Sequence, residues 1–128
     1  MIRPIKFRAW DTRCKKMRIG LILYCYKDGS LGIEPLGDNI GHYHYSSEFK
    51  LMQFTGKLDK NGKEIYEGDV VKWFEYYSSG KRTEHYSVIR WDENRAGWRF
   101  DDLSHFWCEL EVIGNIYENT ELILKSPS

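Results

Sequence analysis

The chain has 128 residues, 41% hydrophobic and 16% aromatic, with 19 basic and 19 acidic side chains that cancel at neutral pH. That length suits one domain with a core of its own. A zero net charge argues against a protein whose main task is to coat a polyanion, and no apolar run approaches the length that spans a bilayer.

Residues 5–10 alternate with period two, Ile5, Phe7 and Ala9 on one face and Lys6, Arg8 and Trp10 on the other, and predict a strand. Residues 11–16 are polar and suit a hairpin loop into a second strand over 17–26, with Gly20 as a bulge or a point of close approach. Asp28-Gly29 marks the next turn. Gly32 and Pro35 make any strand over 31–36 an edge strand. Residues 38–47 read as a surface loop. Phe49 and Leu51 give residues 48–55 strand character. Asn61-Gly62 predicts a type I′ turn, and residues 64–69 a second turn relieved by Gly68.

Strands follow over 70–77, 84–91 and 97–100, separated by a hairpin tip at 78–81 and a turn at 93–97. Residues 101–108 form a polar-aromatic loop or a single helical turn, 110–117 a last strand, and 119–125 a short helix capped by Asn119 or Thr120. No stretch carries an amphipathic helix of three turns. Short strands with a turn signal roughly every ten residues predict an all-β, mainly antiparallel barrel or sandwich. Within one domain, composition places a soft boundary between an N-terminal β unit, 1–47, and a C-terminal barrel, 48–128.

Charge is segregated along the chain. Residues 1–27 hold eight basic side chains against one acidic, and residues 101–128 six acidic against one basic. Two solvated faces of one fold account for this; so does head-to-tail contact between subunits, or a basic face for an acidic partner. Cys14, Cys25 and Cys108 are an odd number without a CxxC pair, and the first residues lead straight into a strand pattern. Both features fit a cytoplasmic protein with reduced thiols and no signal peptide.

Three segments carry a resemblance. They are Lys6-Phe7-Arg8-Ala9-Trp10-Asp11, the run over 51–72 (LMQFTGKLDKNGKEIYEGDVVK), and Glu111-Val112-Ile113-Gly114-Asn115-Ile116-Tyr117-Glu118-Asn119. In that order they resemble the YopX family of phage and prophage proteins, the central run being the specific one. The resemblance implies a small β-rich, phage- or prophage-encoded protein whose C-terminal half looks like an SH3-type barrel, and it brings no catalytic residue with it. Where the family reads Thr-Gly-Leu-Lys-Asp, this chain has Thr55-Gly56-Lys57-Leu58-Asp59. Exchanging neighbours in a strand would turn the leucine to the opposite face, so a loop is expected there. Where the family has Asn-Pro-Glu, this chain has Asn119-Thr120-Glu121.

Several constellations invite chemistry. In an extended His42-Tyr43-His44-Tyr45 both histidines share a face, and two such imidazoles can share a metal given a third ligand from His85, His105 or Cys108. None of these sits at a diagnostic spacing, so a polar loop face is the plainer reading and no cofactor is expected. His105 and Cys108 lack an orienting group and an oxyanion hole for nucleophilic work, and Cys108 reads as a small buried hydrophobe. Asp101, Asp102, Glu109 and Glu111 lack the glycine bend of a calcium loop.

More room for function lies in aromatic residues interleaved with cations: Lys72, Trp73, Tyr76, Tyr77, Arg90, Trp91, Trp98 and Arg99, near Lys81, Arg82 and Trp107. About half of such aromatics should face inwards in a small barrel. The rest would suit a protein partner or self-association into a homo-oligomer, or else single-stranded nucleic acid. Neutral net charge favours protein. The sequence thus predicts a non-enzymatic β module without membrane contact, nucleic-acid binding being the alternative and a small metal-dependent enzyme the third reading.

Overall fold

A computed structural model of the chain describes residues 4–36, 43–44, 49–99 and 107–125. Every strand pairing among the described residues is antiparallel, and their helical content is two short 3-10 segments, Trp107–Glu109 and Thr120–Lys125. The chain divides into two compact units, one of Ile5–Gln53 and one from Phe54 onward.

In the first unit, β1 (Phe7–Asp11) lies between β2 (Lys16–Arg18) and the start of β6 (Phe49–Leu58), pairing Ala9 with Arg18 on one side and Leu51 on the other. A second sheet holds β3 (Leu21–Cys25), β4 (Leu31–Pro35) and β5 (Tyr43–His44). Ala9, Ile33 and Phe49 form the core, with Leu21, Leu23 and Leu51 packed on it. Because β1 is a central strand, Arg8 and Trp10 are buried as well as Ala9, so its period-two pattern does not mark a solvent face.

Two expectations change here. The single strand read over 17–26 is broken at Gly20: β2 pairs with β1, whereas β3 pairs with β4. The edge strand read over 31–36 is instead the middle strand of its sheet. Pro35 is the last residue of the strand, and the described pairing to β5 is at Gly32 and Ile33.

In the second unit, β6 pairs with β7 (Glu64–Tyr66), β8 (Asp69–Tyr76) lies between β9 (Arg82–Val88) and β12 (Glu111–Asn115), and β10 (Arg90–Asp92) pairs with β11 (Gly97–Arg99). Its core is Ile65, Val71, Trp73, Ile89, Leu110 and Val112, with Trp98 and Trp107 against it. Each such side chain contributes roughly 1.5–3 kcal/mol by leaving water. The strand read over 84–91 divides at buried Ile89, which donates its N–H to Asp69 and accepts from the N–H of Gly68; beyond it the chain leaves β8 for the β10–β11 hairpin. Residues 55–58 belong to β6 rather than to a loop, but the register slips between Phe54 and Leu58 and Gly56 has φ 89°. That bulge leaves Lys57 and Leu58 exposed, so no buried face constrains their order.

The Asn61-Gly62 turn is present in another form. Asp59 N–H bonds the Lys63 carbonyl and Gly62 N–H bonds the Asp59 carbonyl, at 2.8 and 3.0 Å. Of the two central residues only Gly62 has a positive φ. This is a three-residue hairpin loop with a glycine bulge, not a type I′ turn. The same bond pattern closes the hairpins at Tyr26–Ser30 and Tyr77–Lys81.

Candidate functional site

The residues most recognisable in the sequence turn out to fasten backbone. Asp59 is buried and accepts three hydrogen bonds: Oδ1 from the N–H groups of Asn61 and Lys63, and Oδ2 from the N–H of Val112 at 2.9 Å. With the Lys60 N–H bonded to the Leu110 carbonyl, the β6–β7 turn is tied to the start of β12. Burial opposes the charge on Asp59, but the N–H donors of Val112, Lys63 and Asn61 outweigh it and hold the carboxyl below its ordinary range. Asp69 Oδ2 accepts from the Tyr66 N–H at 2.7 Å and closes the next turn. Near the end, Asn115 Oδ1 accepts from the N–H groups of Tyr117 and Glu118. Asn119 Oδ1 sits where a side chain on Gly114 would begin, 2.5 Å from an added Cβ.

The described residues contain no group of three or more His, Cys, Asp or Glu able to hold a metal. His42, His105, Asp101 and Asp102 lie outside the described residues, as do the side chains of His44 and Cys108. His85 stacks on Trp73, with ring centroids 5.4 Å apart, and its Nε2 lies 3.0 Å from Glu75 Oε1. Cys14 and Cys25 are free and exposed. No helix among the described residues is long and apolar enough to cross a membrane.

The eight residues read as a binding surface do not share one face. Trp73 is only 3% exposed and belongs to the core, and Trp98 packs on that core; Trp73 is therefore corrected from surface to interior. In the β10–β11 hairpin Trp91 pairs with Trp98 and Arg90 with Arg99. Register partners share a face and neighbours alternate, so the tryptophans lie on one side and the arginines on the other. The indoles meet edge to face at 5.1 Å, with Trp91 47% exposed, while Arg99 Nε lies 3.3 Å from Asp92 Oδ2. The interleaving seen in the sequence therefore gives no mixed surface on this hairpin.

A mixed surface does form on β8 and β9. Lys72, Phe74 and Tyr76 alternate onto one face of β8, facing Tyr86, Glu84 and Arg82 of β9. The Arg82 guanidinium lies 4.5 Å from the Phe74 ring centre and the Lys72 ammonium 5.8 Å from it, both within cation–π range. Tyr76 is 70% exposed. Lys72 and Lys60 converge on Glu111 at 3.6 and 3.5 Å. Beside this face a groove of about 530 Å³ is lined by Lys60, Phe74, Glu75, Tyr76 and Glu109. Tyr77 is on the opposite side of the hairpin, its hydroxyl donating to Glu75 Oε1 at 3.0 Å. Sequence reasoning missed Phe74, Lys60 and Glu109. Phe74 was within reach, since a period of two counted from Lys72 passes through it to Tyr76; Lys60 and Glu109 join only through long-range pairing.

The model of the YopX protein family matches residues 6–124. The chain belongs to the YopX family. Among solved structures, that of protein EF1440 from Enterococcus faecalis is 26% identical, covers 94% of this chain and 98% of its own, and superposes with a TM-score of 0.67. That of protein yopX from Bacillus subtilis is 19% identical, with the same coverages and a TM-score of 0.59. Both are similar in fold over nearly the whole YopX-family chain. Compared with curated proteins, the chain finds no match.

Proposed function

We infer that this YopX-family chain is a non-enzymatic β module that binds a protein partner through the outward face of β8 and β9. The observation that carries this reading is the 70% exposed Tyr76 beside Phe74, bordered by charges of both signs. An exposed tyrosine next to an aromatic floor is the residue type on which protein interfaces concentrate their energy. Mixed charge around it suits a protein better than a polyanion. The C-terminal unit is read as an SH3-type barrel that presents this face, and the protein as a phage or prophage accessory factor working in the bacterial cytoplasm.

The test is affinity purification of the tagged protein and its Tyr76→Ala variant, side by side, from lysogenic cells. A partner retained by the parent and lost by the variant supports the reading. Equal capture by both, or nothing beyond the tag control, overturns it.

A nucleic-acid module is the second reading, favoured by Lys72 and Arg82 around Phe74. Fluorescence polarisation with labelled single-stranded DNA and RNA at low salt decides it. No binding at micromolar protein eliminates it.

A further inference from the structure

Asn61 and Gly62 of the β6–β7 turn are also a chemically reactive pair. Asn61 is exposed, and a Cβ added to Gly62 would meet nothing within 4 Å. Glycine has no side chain, so the Gly62 backbone nitrogen is open to approach by the amide of the residue before it. The other asparagines precede Ile40, Arg95, Ile116 and Thr120. Side chains crowd that nitrogen, β-branched ones above all. Two of those amides are also occupied: Asn115 Oδ1 accepts from the Tyr117 and Glu118 N–H groups, and Asn119 Oδ1 from the Asn115 N–H.

The folded turn withholds the Gly62 nitrogen. Its N–H donates to the Asp59 carbonyl at 3.0 Å, and the Asn61 N–H donates to Asp59 Oδ1 at 2.8 Å. Attack on the Asn61 amide requires that nitrogen to leave its partner and turn towards the side chain. The turn must therefore open before the reaction can start.

We propose that Asn61 is the chain's first site of spontaneous deamidation, at a pace set by the folded turn. When the turn opens, the Gly62 nitrogen bonds to Asn61 Cγ and its proton passes to the leaving amino group. The Cγ–Nδ2 bond breaks and ammonia departs. Water then opens the cyclic imide at either carbonyl, giving aspartate or isoaspartate, with no oxidant or reductant involved. Isoaspartate routes the main chain through the side-chain methylene and lengthens the loop by that carbon. Asp59 accepts from Lys63 and Val112 at 2.9 Å each, so a longer loop between Asp59 and Lys63 loosens the tie to β12. Aspartate keeps the loop length and the tie.

The test is incubation of the full chain at mildly alkaline pH, folded in buffer and unfolded in guanidinium chloride, with peptide mapping by mass spectrometry that scores every asparagine over time. Asn61 should react first in both samples, and roughly tenfold more slowly in the folded one, as expected where a local opening comes before the chemistry. The isoaspartate form, separated by chromatography and returned to buffer, should melt below the parent. The Asn61→Asp variant, which gains the same charge without the extra backbone atom, should melt much closer to the parent. Earlier reaction at another asparagine of the folded chain overturns the proposal, as does an Asn61 still intact there once the unfolded chain has reacted fully. Equal rates in the two samples would show that the turn does not set the pace. An isoaspartate form as stable as the parent, or one no less stable than Asn61→Asp, would overturn the loss of the tie to β12.

Discussion

In the N-terminal unit the buried carboxylate of Asp11 is held mainly by side chains, with one backbone N–H, that of Arg13; in the C-terminal unit the carboxylates of Asp59 and Asp69 accept from backbone N–H groups. Asp11 lies 3.3 Å from Arg18 and 3.3 Å from Arg13, whose guanidinium also lies 5.1 Å from the Phe49 ring centre. Asp59 and Asp69 instead accept from the N–H groups of Asn61, Lys63, Val112 and Tyr66. A charge held by flexible cations can be supplied in several ways. A carboxylate that closes a turn through backbone N–H groups must stand at one position, at one length. That difference explains why most of the recognisable run lies in the second unit, and why it says so little about activity: its polar residues fix turns, and the exposed β8–β9 face has no such constraint.

The largest expected effect breaks the backbone-facing half of the comparison. Asp59→Ala leaves three N–H donors, one of them the buried Val112 N–H, without their acceptor. Stability in urea should fall by about 3 kcal/mol. Gly114→Ala tests the other fixed turn: a methyl there meets Asn119 Oδ1 at 2.5 Å and Leu122 at 2.8 Å, so a loss of about 2 kcal/mol is expected in the same assay.

The side-chain-facing half is best examined by pH. Burial alone would raise the Asp11 carboxyl, but hydrogen bonds from Arg13 and Cys14 and the charge of Arg13 bring it from 3.8 to about 2. A carboxyl depressed by folding stabilises the protein above its unfolded value, and that contribution, about 2 kcal/mol, is lost as pH falls from near 4 through about 2. Asp59, also lowered, adds in the same direction. Asp11→Asn should flatten part of this acid slope in urea melts taken between neutral pH and pH 2. An unchanged slope would mean that Arg13 and Arg18 do not sustain the charge.

Smaller effects belong to the exposed aromatics. Trp91→Ala should cost about 1 kcal/mol through its edge-to-face contact with Trp98. Tyr76→Ala should stay within about 0.5 kcal/mol, as a surface change does, while removing partner capture.

How much was legible follows the same division. Asn61-Gly62 and Gly68 announced their turns because a positive φ needs glycine, and the all-β class followed from short alternating strands. The type of the first turn was not legible, since Asn-Gly serves a type I′ loop and a bulged three-residue loop alike. The central position of β4 was hidden by Pro35, whose missing donor matters only if the neighbouring strand reaches it. Trp73 reads as surface and Phe74 goes unnoticed for a related reason. Adjacent aromatics point to opposite sides of a strand, and which side is core is decided by Ile65, Ile89 and Leu110 arriving from elsewhere in the chain. The split at Ile89 was equally silent, because a buried isoleucine reads as strand whichever partner it has.

The most direct measurement is a paired denaturation of Asp59→Ala and Tyr76→Ala against the parent, with partner capture scored on the same samples. Asp59→Ala should lose about 3 kcal/mol, and Tyr76→Ala should keep the parent's midpoint yet release the partner. An Asp59→Ala protein as stable as the parent, with capture abolished, would contradict the account, because it would put the recognisable turn in the business of binding rather than folding.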